Sequence, residues 1–97
     1  MAEKQQEQMV SWRDAETLSL PPVVTVETAP KILRQVVRDK KPVLGVDFSN
    51  VTQADSVALA MLLAWQSQME SPLKVFALPD ELKTLIHLYD LEGALHI

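Results

Sequence analysis

Apolar and polar residues alternate along the first part of the chain with the period of a β-strand. Residues 9–13 (MVSWR) and 17–20 (TLSL) show this alternation, which predicts two short strands with a turn at residues 14–16. Pro21 and Pro22 end the second strand, because proline has no N–H to donate to a neighbouring strand.

The apolar spacing then changes to that of a helix. Residues 25–41 (TVETAPKILRQVVRDKK) are amphipathic, with Thr25 or Thr28 as the capping residue and Pro30 suited to the first turn. The helix is expected to close at residues 40–42. Four apolar residues at helical spacing are predicted to form its core face: Ile32, Leu33, Val36 and Val37.

Two further strands and two further helices follow. The apolar run at residues 42–48 (PVLGVDF) predicts a central strand buried on both faces, and residues 71–78 (SPLKVFAL) predict another strand. Between them, a polar loop at residues 49–56 precedes a helix from Val57 to about Met69. A last helix starts at Pro79 and is broken by Gly93, with a short tail after it. Its core face is predicted to comprise Leu82, Leu85, Ile86 and Tyr89.

The element order β-β-α-β-α-β-α predicts an α/β fold with a small, mostly parallel mixed sheet covered by helices. A chain of 97 residues makes one domain, assigned to residues 9–97, with a polar, disordered tail at residues 1–8. In such sheets function gathers in the loops beyond the carboxyl ends of the strands. The loop at residues 49–56 is therefore the first place to look for a site.

Composition and charge exclude several classes of protein. The net charge of −4 argues against a nucleic-acid binder, and the absence of cysteine excludes disulfides and thiolate metal sites. The longest apolar run, from Val57 to Trp65, is far shorter than the roughly 20 residues that span a membrane. The polar N-terminus lacks the apolar stretch of a signal peptide, so a cytoplasmic location is expected, with no direct membrane insertion.

The sequence suggests no catalytic residue, cofactor or metal site. Ser56 is a poor candidate nucleophile, because no glycine flanks it and the histidines, His87 and His96, lie near the chain end. Instead, Asp55 or Ser56 is expected to cap the following helix, whose N-terminus would also attract an anion. Asp47 is not expected to accept phosphate, since no acidic cluster precedes it.

Two surfaces are candidates for contact with a partner. The helix from Val57 to Trp65 is apolar around its whole circumference, which favours an exposed apolar surface that another protein covers. Lys31, Arg34 and Arg38 line one side of the preceding helix, and this side is expected to be a solvated face.

At residues 46–65 (VDFSNVTQADSVALAMLLAW) the chain resembles the STAS domain family, which includes the bacterial anti-sigma factor antagonists. In that family Asp-Ser/Thr-Ser-Gly opens an apolar helix, and the matching positions here are Asp55, Ser56, Val57 and Ala58. Residues 73–95 resemble the last strand and helix of the family. The resemblance implies the STAS fold. It also implies that the usual phosphate-accepting hydroxyl is missing, because Val57 occupies its position.

Within the family, the chain is most similar to the STAS subunits of phospholipid-transporting ABC complexes, through its opening SW, its single motif hydroxyl and the segment LYDL at residues 88–91. The resemblance implies a non-catalytic cytoplasmic subunit that binds and supports the ATPase, and through it a permease, at the inner membrane. Such transporters maintain outer-membrane lipid asymmetry. The residues expected at the contact are Ser56, Asp55, Gln53, Thr52, Val57, Leu59 and Ala60.

The family also offers an alternative function. An anti-sigma factor antagonist would bind a kinase-like anti-sigma factor and would need a hydroxyl that the kinase can phosphorylate. In this chain only Ser56, or the neighbouring Ser49 and Thr52, could accept that phosphate.

Overall fold

The computed structural model describes residues 9–97, so the tail predicted at residues 1–8 lies outside the described part of the chain. Within that part, six strands and four helices follow one another. The strands are β1 (Ser11–Trp12), β2 (Thr17–Ser19), β3 (Val23–Val24), β4 (Gly45–Asp47), β5 (Gln53–Ala54) and β6 (Lys74–Phe76). The helices are α1 (Ala29–Asp39), α2 (Val57–Gln66), α3 (Asp80–Leu88) and α4 (Glu92–Leu95).

The main sheet has four strands in the order β1-β2-β4-β6. β1 and β2 are antiparallel, whereas β2, β4 and β6 are mutually parallel, with Leu18, Val46 and Val75 in register. Leu18 and Val46 are fully buried and belong to the same core cluster as Ile32 of α1 and Leu62 of α2. The predicted α/β architecture with a small, mostly parallel mixed sheet is therefore confirmed.

A second, two-stranded parallel sheet was not predicted. It pairs β3 with β5, so that Val23 lies opposite Gln53 and Val24 opposite Ala54. At its start, the carbonyl oxygen of Pro22 accepts hydrogen bonds from the N–H groups of Thr52 and Gln53, at 2.8 and 3.0 Å. The loop after β4 is thereby fixed to the segment that leads into α1.

The predicted core face of α1 is only half right. Ile32 and Val36 are buried, but Leu33 is 40% and Val37 is 75% exposed. Gln35 faces inward instead: its Oε1 accepts hydrogen bonds from the N–H groups of Met9 and Val10, and its Nε2 donates to the carbonyl oxygen of Val10. Only one face of α1 is therefore buried against the core. The side-chain amide of Gln35 on that face holds Met9 and Val10 against the helix.

The chain from Gln66 onward also differs from the prediction. α2 ends at Gln66 rather than near Met69, and the Gln66 side chain bridges to the backbone of the next loop. Tyr89 is exposed, because α3 ends at Leu88. Gly93 does not end the helical region but lies within α4, where a Cβ at this position would point into open space. This extra helix forms because it brings the buried Leu95 into the core, where α4 contacts α2.

Several elements end on residues in the left-handed backbone conformation. Lys40, directly after α1, has φ 56°, and its N–H donates to the carbonyl oxygens of Val36 and Val37. Ala77, Asp90 and His96 have φ 58° at or near the ends of β6, α3 and α4. The glycines of the chain are not used at such positions.

None of the helices in residues 9–97 is long and apolar enough to cross a membrane.

Candidate functional site

The candidate site is the loop at residues 49–56 together with the start of α2. It follows β4 at that strand's carboxyl end, as the sequence predicts, and β5 lies inside it. Because β5 pairs with β3, the loop lies directly beside the segment between β3 and α1. Two helix starts therefore meet at one surface.

Asp55 ties these two helix starts together. Its Oδ1 accepts a hydrogen bond from the N–H of Val57 at 3.0 Å, and its Oδ2 accepts one from the N–H of Val26 at 3.3 Å. Its own N–H donates to the carbonyl oxygen of Val24 at 3.1 Å. One carboxylate thus fixes the start of α2 against the loop that precedes α1.

Ser56 does not cap α2, contrary to one of the two predicted possibilities. Its backbone is already helical (φ −64°, ψ −13°) and its hydroxyl makes no capping bond, so Asp55 acts as the N-cap. The first N–H groups of α2 are also occupied: Val57 donates to Asp55 Oδ1, and Ala58 donates to the Asp55 carbonyl oxygen. Just before them, the N–H of Ser56 makes no hydrogen bond within residues 9–97, so the anion attraction expected at this helix end would depend on this one donor.

Ser49, Thr52 and Ser56 are all exposed, but the hydroxyls of Ser49 and Thr52 are engaged in hydrogen bonds. The Ser49 hydroxyl donates to Asp47 Oδ1 at 2.5 Å, and the Thr52 hydroxyl donates to the carbonyl oxygen of Pro22 at 3.3 Å. Ser56 is exposed, and its hydroxyl makes no hydrogen bond with any residue between 9 and 97. A partner could thus contact this hydroxyl without breaking a bond within the described fold.

Asp47, at the end of β4, has a structural role. Its carboxylate accepts hydrogen bonds from the Ser49 hydroxyl and N–H, and it lies 3.6 Å from the guanidinium of Arg13. The Ser49 hydroxyl in particular, with help from Arg13, holds the pKa of Asp47 below its usual range. Arg13 itself packs 4.5 Å from the ring centre of Phe76. The Asp47 carboxylate is thus engaged by Ser49 and Arg13 within the fold.

The histidines do not form a catalytic pair with Ser56. His87 is exposed on α3, and its Nδ1 lies 2.8 Å from Glu92 Oε2, a contact that lowers the pKa of Glu92. His96 is exposed after α4. In the range 9–97, no group of three or more histidine, aspartate or glutamate side chains is arranged to hold a metal.

The residues predicted at a partner contact are not all at the surface. Thr52, Gln53, Ser56 and Ala60 are exposed, and Asp55 and Val57 are half-buried. Leu59 is wrong as a contact residue, because it is only 3% exposed and packs in the core. α2 buries most of its apolar side chains, and the outer positions on successive turns are Ser56, Ala60 and Ala64. The predicted apolar surface of α2 is therefore narrow and lined by small side chains.

Val26 was missed by the sequence reasoning. It is 66% exposed and lies beside Asp55, to which its N–H donates. The loop that presents it is rigid, because the Thr28 hydroxyl accepts from the N–H of Thr25 at 3.0 Å and donates to the carbonyl oxygen of Val23 at 2.9 Å. Thr28, predicted as a possible cap of α1, precedes the helix but makes no side-chain capping bond to it.

Comparison with known proteins agrees with the fold. A family model described as "Mlab, STAS domain" matches residues 9–97, which is the whole described range and includes the loop at 49–56 and both flanking helices. No curated protein matches the chain.

Proposed function

The chain belongs to the MlaB STAS domain family, and on that premise we propose that it is a non-catalytic subunit that docks on the ATPase of an ABC phospholipid transporter. The subunit supports or regulates the ATPase from the cytoplasmic side of the inner membrane, and it reaches the permease and the membrane only through the ATPase. In this role it contributes to outer-membrane lipid asymmetry.

The observation that carries the proposal is the exposed, unbonded hydroxyl of Ser56 on a fixed frame. Asp55 holds the helix start with its carboxylate, and Val26 provides an exposed apolar side chain next to it. A surface already ordered in the free protein loses little conformational entropy on binding. An ordinary protein interface buries about 800 Å² on each partner, and the loop, Val26 and the outer side of α2 can supply a large part of such a surface.

A non-enzymatic role is supported by the family and by the site. STAS domains are generally interaction domains without catalytic activity. The hydroxyl of Ser56 has no base in hydrogen-bond contact among residues 9–97, so nothing there would activate it as a nucleophile.

The direct test is co-purification of the chain with the co-expressed transporter ATPase. We expect Ser56→Arg to abolish co-purification, because a long charged side chain would stand at the centre of the contact. Ser71→Arg is the matched control, since Ser71 is an exposed serine in the loop before β6. Both variants should keep the circular dichroism spectrum of the wild type. Undiminished co-purification of Ser56→Arg would reject docking through this site.

The alternative function, an anti-sigma factor antagonist, is favoured by one observation. The Ser56 hydroxyl makes no hydrogen bond within residues 9–97, whereas the hydroxyls of Ser49 and Thr52 donate hydrogen bonds that phosphorylation would break. Intact-mass spectrometry after incubation with the cognate kinase-like partner tests it. A gain of one phosphate that disappears in Ser56→Ala would establish this alternative, and an unchanged mass would exclude it.

A further inference from the structure

α1 exposes more apolar surface than a helix on a small domain needs. Leu33 and Val37 lie one turn apart on its outer side and are 40% and 75% exposed. They are large aliphatic side chains, and the core of the domain is complete without them, since the inward stripe of α1 is supplied by Ile32, Gln35 and Val36. Such a surface usually marks contact with another molecule.

These two side chains border a groove between α1 and the second half of α2, which we call the α1 groove. Its volume is about 410 Å³. Its lining includes Leu33, Val36 and Val37 from the side of α1, and Ala64, Trp65 and Met69 from the other side. The groove is mostly apolar, and the loop residues 40–44 and 68–69 complete its lining beside the two helices.

The margin of the α1 groove is cationic: Lys40 and Lys41 line it, and Arg34 and Arg38 flank Leu33 and Val37 on the outer side of α1. Five of the nine basic residues of this net-acidic chain lie between positions 31 and 41, and Asp39 is the only acid in that segment. None of these five basic side chains takes part in the ion pairs formed among residues 9–97. Asp39 is also occupied, because its Oδ2 accepts a hydrogen bond from Trp12 Nε1 at 2.9 Å. The cations of this segment are Lys31, Arg34, Arg38, Lys40 and Lys41.

The α1 groove is continuous with the candidate site. Ser56, Ala60 and Ala64 are exposed on successive turns of α2, and Ala64 lines the groove. At the other end, Asp55 binds the loop that leads into α1. α1 and α2 thus present one surface that begins at Ser56 and ends between the two helices.

We propose that the α1 groove is the second half of the docking surface and that it takes an apolar segment flanked by acidic residues, carried by the transporter ATPase. This inference rests on the proposed function. The apolar lining requires apolar side chains in the ligand, and the cationic margin favours carboxylates on either side of them.

A segment of a protein fits the groove better than a lipid bilayer. Val36 and Trp65 are recessed and less than a tenth exposed, so a planar surface would touch Val37 but not the lining below it. A narrow segment such as a helix or an extended chain can reach that lining.

The test measures the affinity of the purified ATPase for three variants of the chain. Arg34→Glu/Arg38→Glu reverses the charge at the groove margin, and Lys74→Glu/Lys83→Glu makes the same change in charge on exposed residues elsewhere. We expect the first pair to weaken binding by about tenfold or more and to remove most of its salt dependence, because opposed charges attract and steer the partner. The control pair should leave both nearly unchanged. Val37→Ser, at a site too exposed to destabilise the fold, should weaken binding without changing its salt dependence.

Each other outcome overturns the proposal in a recognisable way. If Ser56→Arg abolishes binding but the groove variants behave like the control, the ATPase docks at the candidate site alone. If the wild type binds vesicles of phosphatidylcholine and phosphatidylglycerol, and the groove variants lose only that binding, the occupant is a membrane. If the wild type does not bind the ATPase, the proposed function and the groove proposal both fail.

Discussion

The division of roles between Asp55 and Ser56 can be tested by replacing each with alanine. Asp55→Ala removes the oxygens that accept from the N–H groups of Val57 and Val26. Loss of a helix N-cap costs about 1 kcal/mol, and loss of a second, exposed hydrogen bond costs roughly 0.5–1 kcal/mol. We therefore expect Asp55→Ala to lower the free energy of unfolding by roughly 1.5–2 kcal/mol.

Ser56→Ala should behave differently, because the Ser56 hydroxyl makes no capping bond. Its expected effect lies within about 0.5 kcal/mol of zero, as for other surface substitutions. Asp55→Asn keeps one acceptor oxygen and should fall between the two. Urea denaturation followed by circular dichroism measures all three, and thermal melting gives a second reading, since about 1 kcal/mol shifts the midpoint of a domain of this size by roughly 4–8 °C.

Two results would refute this account. If Ser56→Ala were as destabilising as Asp55→Ala, the hydroxyl would be the cap in solution. If Asp55→Ala were neutral, the carboxylate would not hold the two helix starts together. The same Ser56→Ala protein, measured for binding to the ATPase, separates a role in recognition from a role in stability.

Asp47 and Gly45 carry the remaining predictions. The pKa of Asp47 is lowered in the folded state, first by the hydrogen bond from the Ser49 hydroxyl, then by that from the Ser49 N–H, and least by Arg13. Its ionised form therefore stabilises the fold above the unfolded pKa, and that contribution is lost as the pH falls through the folded value. Asp47→Asn should therefore lower the free energy of unfolding by roughly 1–2 kcal/mol at neutral pH. Measured by urea denaturation, this difference from the wild type should shrink below about pH 4. A difference in stability that does not depend on pH would contradict this explanation. A Cβ on Gly45 would lie 3.1 Å from Thr17 Oγ1, so Gly45→Ala should lower the free energy of unfolding by about 1–2 kcal/mol. In a double-mutant cycle, adding Thr17→Ala should recover part of this loss. Strictly additive effects of the two substitutions would rule out the clash.

The order of the main elements could be predicted because each carries its own periodicity. The alternation around Trp12 and Leu18 and the helical spacing in α1 are patterns of neighbouring residues. They correspond to β1, β2 and α1 in the folded protein. The strands β3 and β5 have two residues each, too few for any period to be visible. They exist because the Pro22 carbonyl and its neighbours meet a loop some 30 residues further along the chain, which only the folded chain brings close.

The candidate site was predictable in place but not in detail. A polar loop opening onto an apolar helix indicated residues 49–56, yet nothing local distinguished Asp55 from Ser56 as the cap. The exposure of Val37 was not predicted, because four neighbouring apolar residues of α1 all fit the helical spacing. Only one face of the helix packs against the core, and Val37 lies outside that face. The burial of Gln35 could not be predicted from the sequence. A polar side chain is buried only where the fold supplies hydrogen-bond partners, here the backbone groups of Met9 and Val10.

The left-handed residues at the ends of elements indicate where the domain could gain thermal tolerance. A non-glycine residue in this conformation is strained by roughly 1 kcal/mol, and Lys40 holds the position after a helix at which glycine is usually found. Glycine at this position would relieve the strain and so raise the free energy of unfolding. The greater flexibility of glycine in the unfolded chain would offset only part of this increase. Laboratory selection for heat resistance should therefore find its first improvements at Lys40 and at similar ends such as Ala77. Of these two positions, Lys40 also lines the α1 groove, whereas Ala77 does not.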